Sequence, residues 1–251
     1  MAAARGVGDK AALISAPASI AVTLNLTAGR SVVVMAASTL NTTLSCSDGV
    51  NSYQTDSSIS AGNGTSYVFS AANVAGASTT ITVTPAASAG GELVLIVREY
   101  SGMILTAIKD VAASHNFTSN ETALDSDGVA TTVATELLVG FCFSASHRAE
   151  NFTAGNDDNG NTYTADQTTY HAAGAITGFN EDFIQTAATA TRKATCTQDN
   201  AGQAHMHFVA YKVQSPAALT GTATAGITEA DIVTGGKTII LTLTGDTFIA
   251  A

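Results

Sequence analysis

Apolar residues recur along this chain at every second position or in short unbroken runs, and Gly, Asn, Asp or Ser closes each run. That rhythm predicts β-strands, and no stretch of about 12 residues carries the period of an amphipathic helix. Strands are predicted at 20–26, 31–37, 67–71, 79–84, 92–100, 136–144, 182–186, 194–198, 204–213 and 238–244. A single helical turn is predicted at 228–232, with Thr228 as its cap.

The pattern also repeats itself. The run Ser31-Val32-Val33-Val34-Met35-Ala36-Ala37 leads to Asp48-Gly49-Val50-Asn51-Ser52-Tyr53, and later Glu136-Leu137-Leu138-Val139-Gly140-Phe141-Cys142-Phe143 leads to Asp158-Asn159-Gly160-Asn161-Thr162-Tyr163. The echo continues in Tyr67-Val68-Phe69 against Asp182-Phe183-Ile184, and in the approach to Tyr100 against the approach to Tyr211. Offsets of about 105–115 residues are too long for a solenoid and suit two similar halves of four or five strands. The stretch 101–120 lacks the Pro, Gly or charge cluster of a linker, which favours one interleaved sandwich over two separate ones. The expectation is an all-β, jelly-roll-like antiparallel β-sandwich. Its parts are an N-terminal arm at 1–9, a sandwich at 10–214 with halves of about 10–105 and 106–214, and a C-terminal extension at 215–251.

Composition sharpens this picture. Only 12% of the 251 residues are charged, the net charge is −10, and Trp is absent. A phosphate-tracking surface needs clustered Lys and Arg, so nucleic acid is not an expected partner. The longest apolar run is far short of the ~20 residues that span a bilayer, and no membrane partner is expected. Arg5 and Lys10 precede Ala11-Ala12-Leu13-Ile14 and the triplet Ala16-Pro17-Ala18, but the apolar stretch is too short for a secretory leader. Cys46, Cys142 and Cys196 lie far apart with no Cys-x-x-Cys pair, so they read as free thiols packed as small apolar groups. A Cys46–Cys142 bridge is the alternative.

The candidate chemistry is sparse. His205 and His207 stand two apart on a predicted strand and project from one face, as two metal-binding imidazoles would. A third ligand would have to come from His115, His147, His171 or a carboxylate. Without one they read as part of a half-exposed strand face or a protomer contact. Asn156-Asp157-Asp158-Asn159-Gly160-Asn161 has the oxygen-rich character of a calcium loop, with Asp157 and Asn159 at ligand positions and Asp166 closing it. Gly155 occupies the place of the first carboxylate, so a left-handed turn is the expected reading. No cofactor is expected. Glu181 and Asp182, and likewise Glu92 and Glu99, would face opposite sides of their strands, which is wrong for a glycosidase pair. Gly-x-Ser-x-Gly, phosphate-loop and dinucleotide motifs do not occur, and the chain is not expected to be an enzyme. Six Asn-x-Ser/Thr triplets, at Asn25, Asn41, Asn63, Asn116, Asn120 and Asn151, follow from the abundance of Thr.

The run from Ser31 to Ala37, the turn Asn161-Thr162-Tyr163, Gly91-Glu92-Leu93-Val94 running into Glu99-Tyr100-Ser101-Gly102, and Glu136-Leu137-Leu138-Val139-Gly140 resemble a Thr/Gly-rich β-sandwich module. Such modules occur in bacteriophage virion structural proteins and bacterial surface proteins. The segment from Ile227 to Phe248 is similar to the opening of a further such module. The resemblance implies a virion subunit, as a capsid decoration, head fibre or tail-associated protein. It would assemble with other virion proteins and with its own copies, and would contact a host surface glycan as a further partner. The alternative is an extracellular or cell-surface adhesin or a carbohydrate-binding module. The apolar face of strand 238–244, with no charge between Lys237 and Asp246, is predicted to add to a neighbouring protomer or partner subunit.

Overall fold

The structure, a computed structural model, describes residues 3–13, 17–87, 91–145, 150–157, 159–170, 173–174, 176–186 and 190–214. All of them fall within one compact unit, Met1–Pro216. The predicted helical turn at 228–232 and the strand at 238–244 lie outside the described residues. So do His147 and His171.

Sixteen strands and no helix make up the described residues. The first half contributes β1 (Ala4–Leu13), β2 (Ile20–Leu26), β3 (Ser31–Ser38), β4 (Leu44–Ser47), β5 (Gln54–Ala61), β6 (Gly64–Ala71), β7 (Ala77–Pro85) and β8 (Leu93–Ser101). The second contributes β9 (Lys109–Asp125), β10 (Val129–Ala130), β11 (Glu136–Ser144), β12 (Phe152–Ala154), β13 (Thr164–Tyr170), β14 (Thr177–Gln185), β15 (Thr191–Arg192) and β16 (Thr195–Lys212).

The echo in the sequence is a duplication of topology. One five-stranded antiparallel sheet runs β1-β8-β3-β6-β5, and the other runs β9-β16-β11-β14-β13, the same order with eight added to every label. The small sheet β2-β7-β4 of the first half is answered by β10 on β15, with β12 on the opening residues of β16. β1 pairs with β8, β2 with β7 and β3 with β6, so the first half nests its early strands against its late ones. β5 departs from that nesting, since it lies on β6.

Two expectations are corrected by this topology. Strand ladders among the described residues join strands of the same half, so the halves stack face to face rather than interleave. The N-terminal arm is not free: β1 pairs with β8 from Ala4 to Leu13, with a register shift between Arg5 and Gly8.

Stacking explains the burial patterns. On β2, buried and exposed positions alternate because only one face meets the core, whereas every residue of β3 and β11 is buried. The central strands of the two five-stranded sheets are covered on both sides, and such strands read as continuous apolar runs. Between the small sheet and the first large one lie Ile20, Val22, Ile81, Val34 and Leu95. Between the two large sheets lie Val33, Met35, Ile96, Phe141, Phe143 and Val209. Beyond the second large sheet, Leu124, Tyr163 and Cys196 of the cover pack on Cys142, Phe179 and Met206.

Candidate functional site

The seam between the two large sheets is apolar at its centre, and the chain concentrates its polar side chains there too. His205 and His207 share a face of β16, as the period-two spacing predicts, but neither is half-exposed; both have no accessible surface. They enter a chain of hydrogen bonds with side chains of the first half. Asn63 Oδ1 lies 2.8 Å from His205 Nε2, and Ser66 Oγ lies 2.7 Å from both His205 Nδ1 and His207 Nε2. Ser57 Oγ closes the chain 2.8 Å from His207 Nδ1. One assignment of protons satisfies every link with both rings neutral. His205 donates to Asn63 and accepts from Ser66, while His207 donates to Ser66 and accepts from Ser57. Burial pushes His205 down to about 4, and burial with the neighbouring His205 pushes His207 down to about 3. Phe141 stacks on His207 and Phe143 meets His205 edge-on.

A serine hydroxyl between two imidazoles has the first two parts of a nucleophile and its base. Ser66 is itself fully buried, so no substrate reaches it and the arrangement acts as a fastening.

Two further fastenings flank it, and the tyrosines that donate in them are counterparts of each other. Asp56 and Asp166 each occupy a bulge, between Thr55 and Ser57 on β5 and between Ala165 and Gln167 on β13. Tyr211 of the second half donates to Asp56 Oδ2 of the first at 2.8 Å, and Tyr100 of the first donates to Asp182 Oδ2 of the second at 2.8 Å. Asp182 also accepts two bonds from Arg5, and Asp166 is held by both Arg98 and Asn180. A bulge re-aims one side chain out of the ladder's alternation, which is how Asp56 and Asp166 come to face the opposite half, whereas Asp182 faces it from a regular position of β14.

The turn read as a calcium loop is filled from within. Asp157 accepts the backbone N–H groups of Asn159 and Asn161 at 2.9 Å, the Asn161 amide at 2.8 Å and the Arg192 guanidinium. Those bonds hold its carboxyl below the usual range, against burial. Asn159 donates to the Thr191 carbonyl and Asp166 belongs to Arg98, so the three candidates do not converge. The first half repeats the device, with Asp48 accepting from Val50, Asn51 and Tyr53. Gly49 and Gly160 take the left-handed conformation in the two turns, with φ of 76° and 79°. No three His, Cys, Asp or Glu side chains gather in metal-binding geometry among the described residues. His115 pairs with Asp127 at the surface.

Other buried carboxyls stand outside these fastenings, Glu181 and Glu136 among them. Glu181 faces the outer cover, where Gly155 N donates to it at 3.2 Å, and burial pushes it up to about 8. Glu136 accepts from Gln185 Nε2 at 2.5 Å and is raised to about 8 by burial and by hydrogen bonding to Asp110. Glu181 and Asp182 do face opposite sides of β14. Sequence reasoning missed Asp56, Asp182, Arg5 and the two tyrosines as a set. The available signal was the echo itself, which aligns Tyr100 with Tyr211. Cys46 belongs to the first half and Cys142 and Cys196 to the second, which separates the pair considered for a bridge.

Fold and seam together define an all-β protein of two duplicated sandwiches fastened by buried polar bonds. Comparison with protein-family profiles, curated proteins and solved structures gave no match.

Proposed function

We propose that this chain is a structural subunit of a bacteriophage virion, a capsid decoration, head-fibre or tail-associated protein that acts by assembly with its neighbours. The observation that carries the reading is the duplicated pair of β-sandwiches whose seam histidines and aspartates bond to side chains of the opposite half. His205, His207, Asp56, Asp182 and Asp157 are all satisfied inside the molecule, as suits a rigid part. Jelly-roll sandwiches serve in viral capsids and in lectins, so fold analogy supports the reading without assigning it. Few charges and an outer sheet of hydroxyls, with Thr23 and Thr80 bonded at 2.8 Å, suit a subunit exposed to varied media.

A second reading, a carbohydrate-binding or adhesin module, has one observation in its favour. A groove of about 340 Å³ beside β5 and β6 is lined by Tyr53, Gln54, Ser70 and Leu105, a ring and hydrogen-bonding groups of the kind that hold a sugar. Immunogold labelling with antibody against the chain separates the two. Label on particles purified from a lysate of the producing cells is the expected result. Label on the cell envelope, with binding on a glycan array that is lost in Tyr53→Ala, would transfer the function to the second reading.

A further inference from the structure

Cys142 sits in the middle of β11, opposite Met206 of β16. Cys196 lies where β16 begins, in the cover of the same half, between β12 and the end of β9. Its Sγ is 3.9 Å from Met206 Sδ, and Met206 is the residue that faces Cys142 in the ladder, so both cysteines pack against the same methionine. Both cysteines belong to one apolar cluster and are reduced, and they come from opposite layers of the C-terminal sandwich. We propose that Cys142 and Cys196 form a latent disulfide, a modification site that closes across the C-terminal sandwich when the protein passes from a reducing to an oxidising medium.

The co-reactant is a small disulfide of the glutathione class. The Cys196 thiolate attacks one of its sulfurs, the oxidant's S–S bond breaks, and one glutathione leaves as a thiolate that takes up the proton Cys196 gave away. The Cys142 thiolate then attacks the Cys196 sulfur of the mixed disulfide, a protein S–S bond forms, and the second glutathione leaves with the proton from Cys142. Two protein thiols are oxidised and one small disulfide is reduced to two thiols. The order follows from access. Cys196 borders a groove of about 340 Å³ also lined by Asp125, Gly155 and Thr195, under the three-residue strand β12, whereas Cys142 is covered on both faces of its sheet. Burial raises the Cys196 thiol well above its ordinary range, so the first attack waits on opening of that short cover. Cys46, in β4 of the other half, takes no part.

The cross-link is a property of the C-terminal half and stands or falls apart from what the chain docks on. Its test uses the full chain, purified in reductant, freed of it, and incubated with glutathione disulfide both in buffer and in mild urea that loosens the cover. Thiols titrated after denaturation are expected to fall from three to one. A non-reduced peptide map is expected to join the Cys142 and Cys196 peptides. The melting temperature is expected to rise by about 5 °C or more, reversibly with dithiothreitol, since the bond closes a long loop. Cys46→Ala should give the same link and end with no free thiol, and Cys196→Ala should give none. Three surviving thiols in both conditions, a stable glutathione adduct on Cys196, a link through Cys46, or a lowered melting temperature would each overturn the proposal.

Discussion

A single hydroxyl carries more of the seam than its size suggests. Ser66 supplies a partner to His205 and to His207 at once, so Ser66→Ala leaves two ring nitrogens buried and unpaired. An unpaired buried polar group costs about 1–3 kcal/mol, and urea unfolding of the variant is expected to show a loss at the upper end of that range or beyond. A loss below about 1 kcal/mol would mean the imidazoles find other partners. Arg192 poses the matching question for the turn. It is 2% exposed and its partner Asp157 is 4% exposed, and removing one member of a buried pair costs about 3–5 kcal/mol. Arg192→Met is expected to lose stability on that scale, and added calcium is expected to restore none of it. Recovery with millimolar calcium would revive the loop as a cation site. The candidate residues were legible in the sequence as types and spacings: the paired histidines do share a face, and the Asn/Asp/Gly turn is a turn. What the sequence could not show is that a serine hairpin from the other half would saturate the histidines, because Ser57, Asn63 and Ser66 lie some 140 residues away in the chain.

At the scale of strands, legibility tracked alternation and depth. β2 and β11 stand at the predicted bounds, one because its period is clean and the other because a run buried on both faces is unbroken. β9 escaped detection because its residues are half-buried and then exposed as far as the buried Leu124, with no alternation, as an edge strand bonded only to β16 can be. β1 escaped because Arg5, Gly6, Gly8 and Lys10 read as a polar arm. The structure uses the two glycines for close approach, where a Cβ would sit 2.3 Å from Glu99 Oε2 at Gly6 and 2.6 Å from the Arg98 guanidinium carbon at Gly8. The expectation that strand 238–244 pairs with a neighbouring protomer is tested by removing 217–251, which leaves the compact unit Met1–Pro216 intact. Circular dichroism of the truncated chain is expected to remain that of a β-protein, with fewer copies per assembly by light scattering than the full chain. An equal number of copies would exclude the tail from assembly.

Across the described residues, buried acids and buried histidines set opposing demands on pH. Glu136 and Glu181 titrate near 8 in the folded protein against 4.5 ordinarily, so the folded chain holds two protons that the unfolded chain releases above 4.5. Their contribution is complete below pH 4.5 and is lost as pH rises toward 8. His205 and His207 titrate near 4 and 3 against 6.5, so the unfolded chain holds two protons that the folded chain refuses. Their contribution is complete above pH 6.5 and is lost as pH falls toward 3. Between pH 4.5 and 6.5 the two slopes oppose each other, with Asp56, whose carboxyl burial also raises, on the side of the acids, and stability is expected to change little there. Above 6.5 the carboxylic acids act, joined toward pH 9 by the buried Cys46 and Cys196 thiols, whose burial raises them, and stability is expected to decline. Below 4.5 the histidines act together with Asp48, Asp110 and Asp157, whose carboxyls are held low by hydrogen bonds, and it is expected to fall steeply. Urea midpoints measured from pH 4 to 9 should therefore trace an acid-centred plateau. Replacing both acids, Glu136→Gln with Glu181→Gln, is expected to flatten the decline above pH 6.5 while leaving the acid fall in place, because the amides stay neutral where the carboxyls would ionise. A maximum near pH 8 in the parent, or an unchanged alkaline decline in the double variant, would show that these two side chains are not the neutral buried acids described.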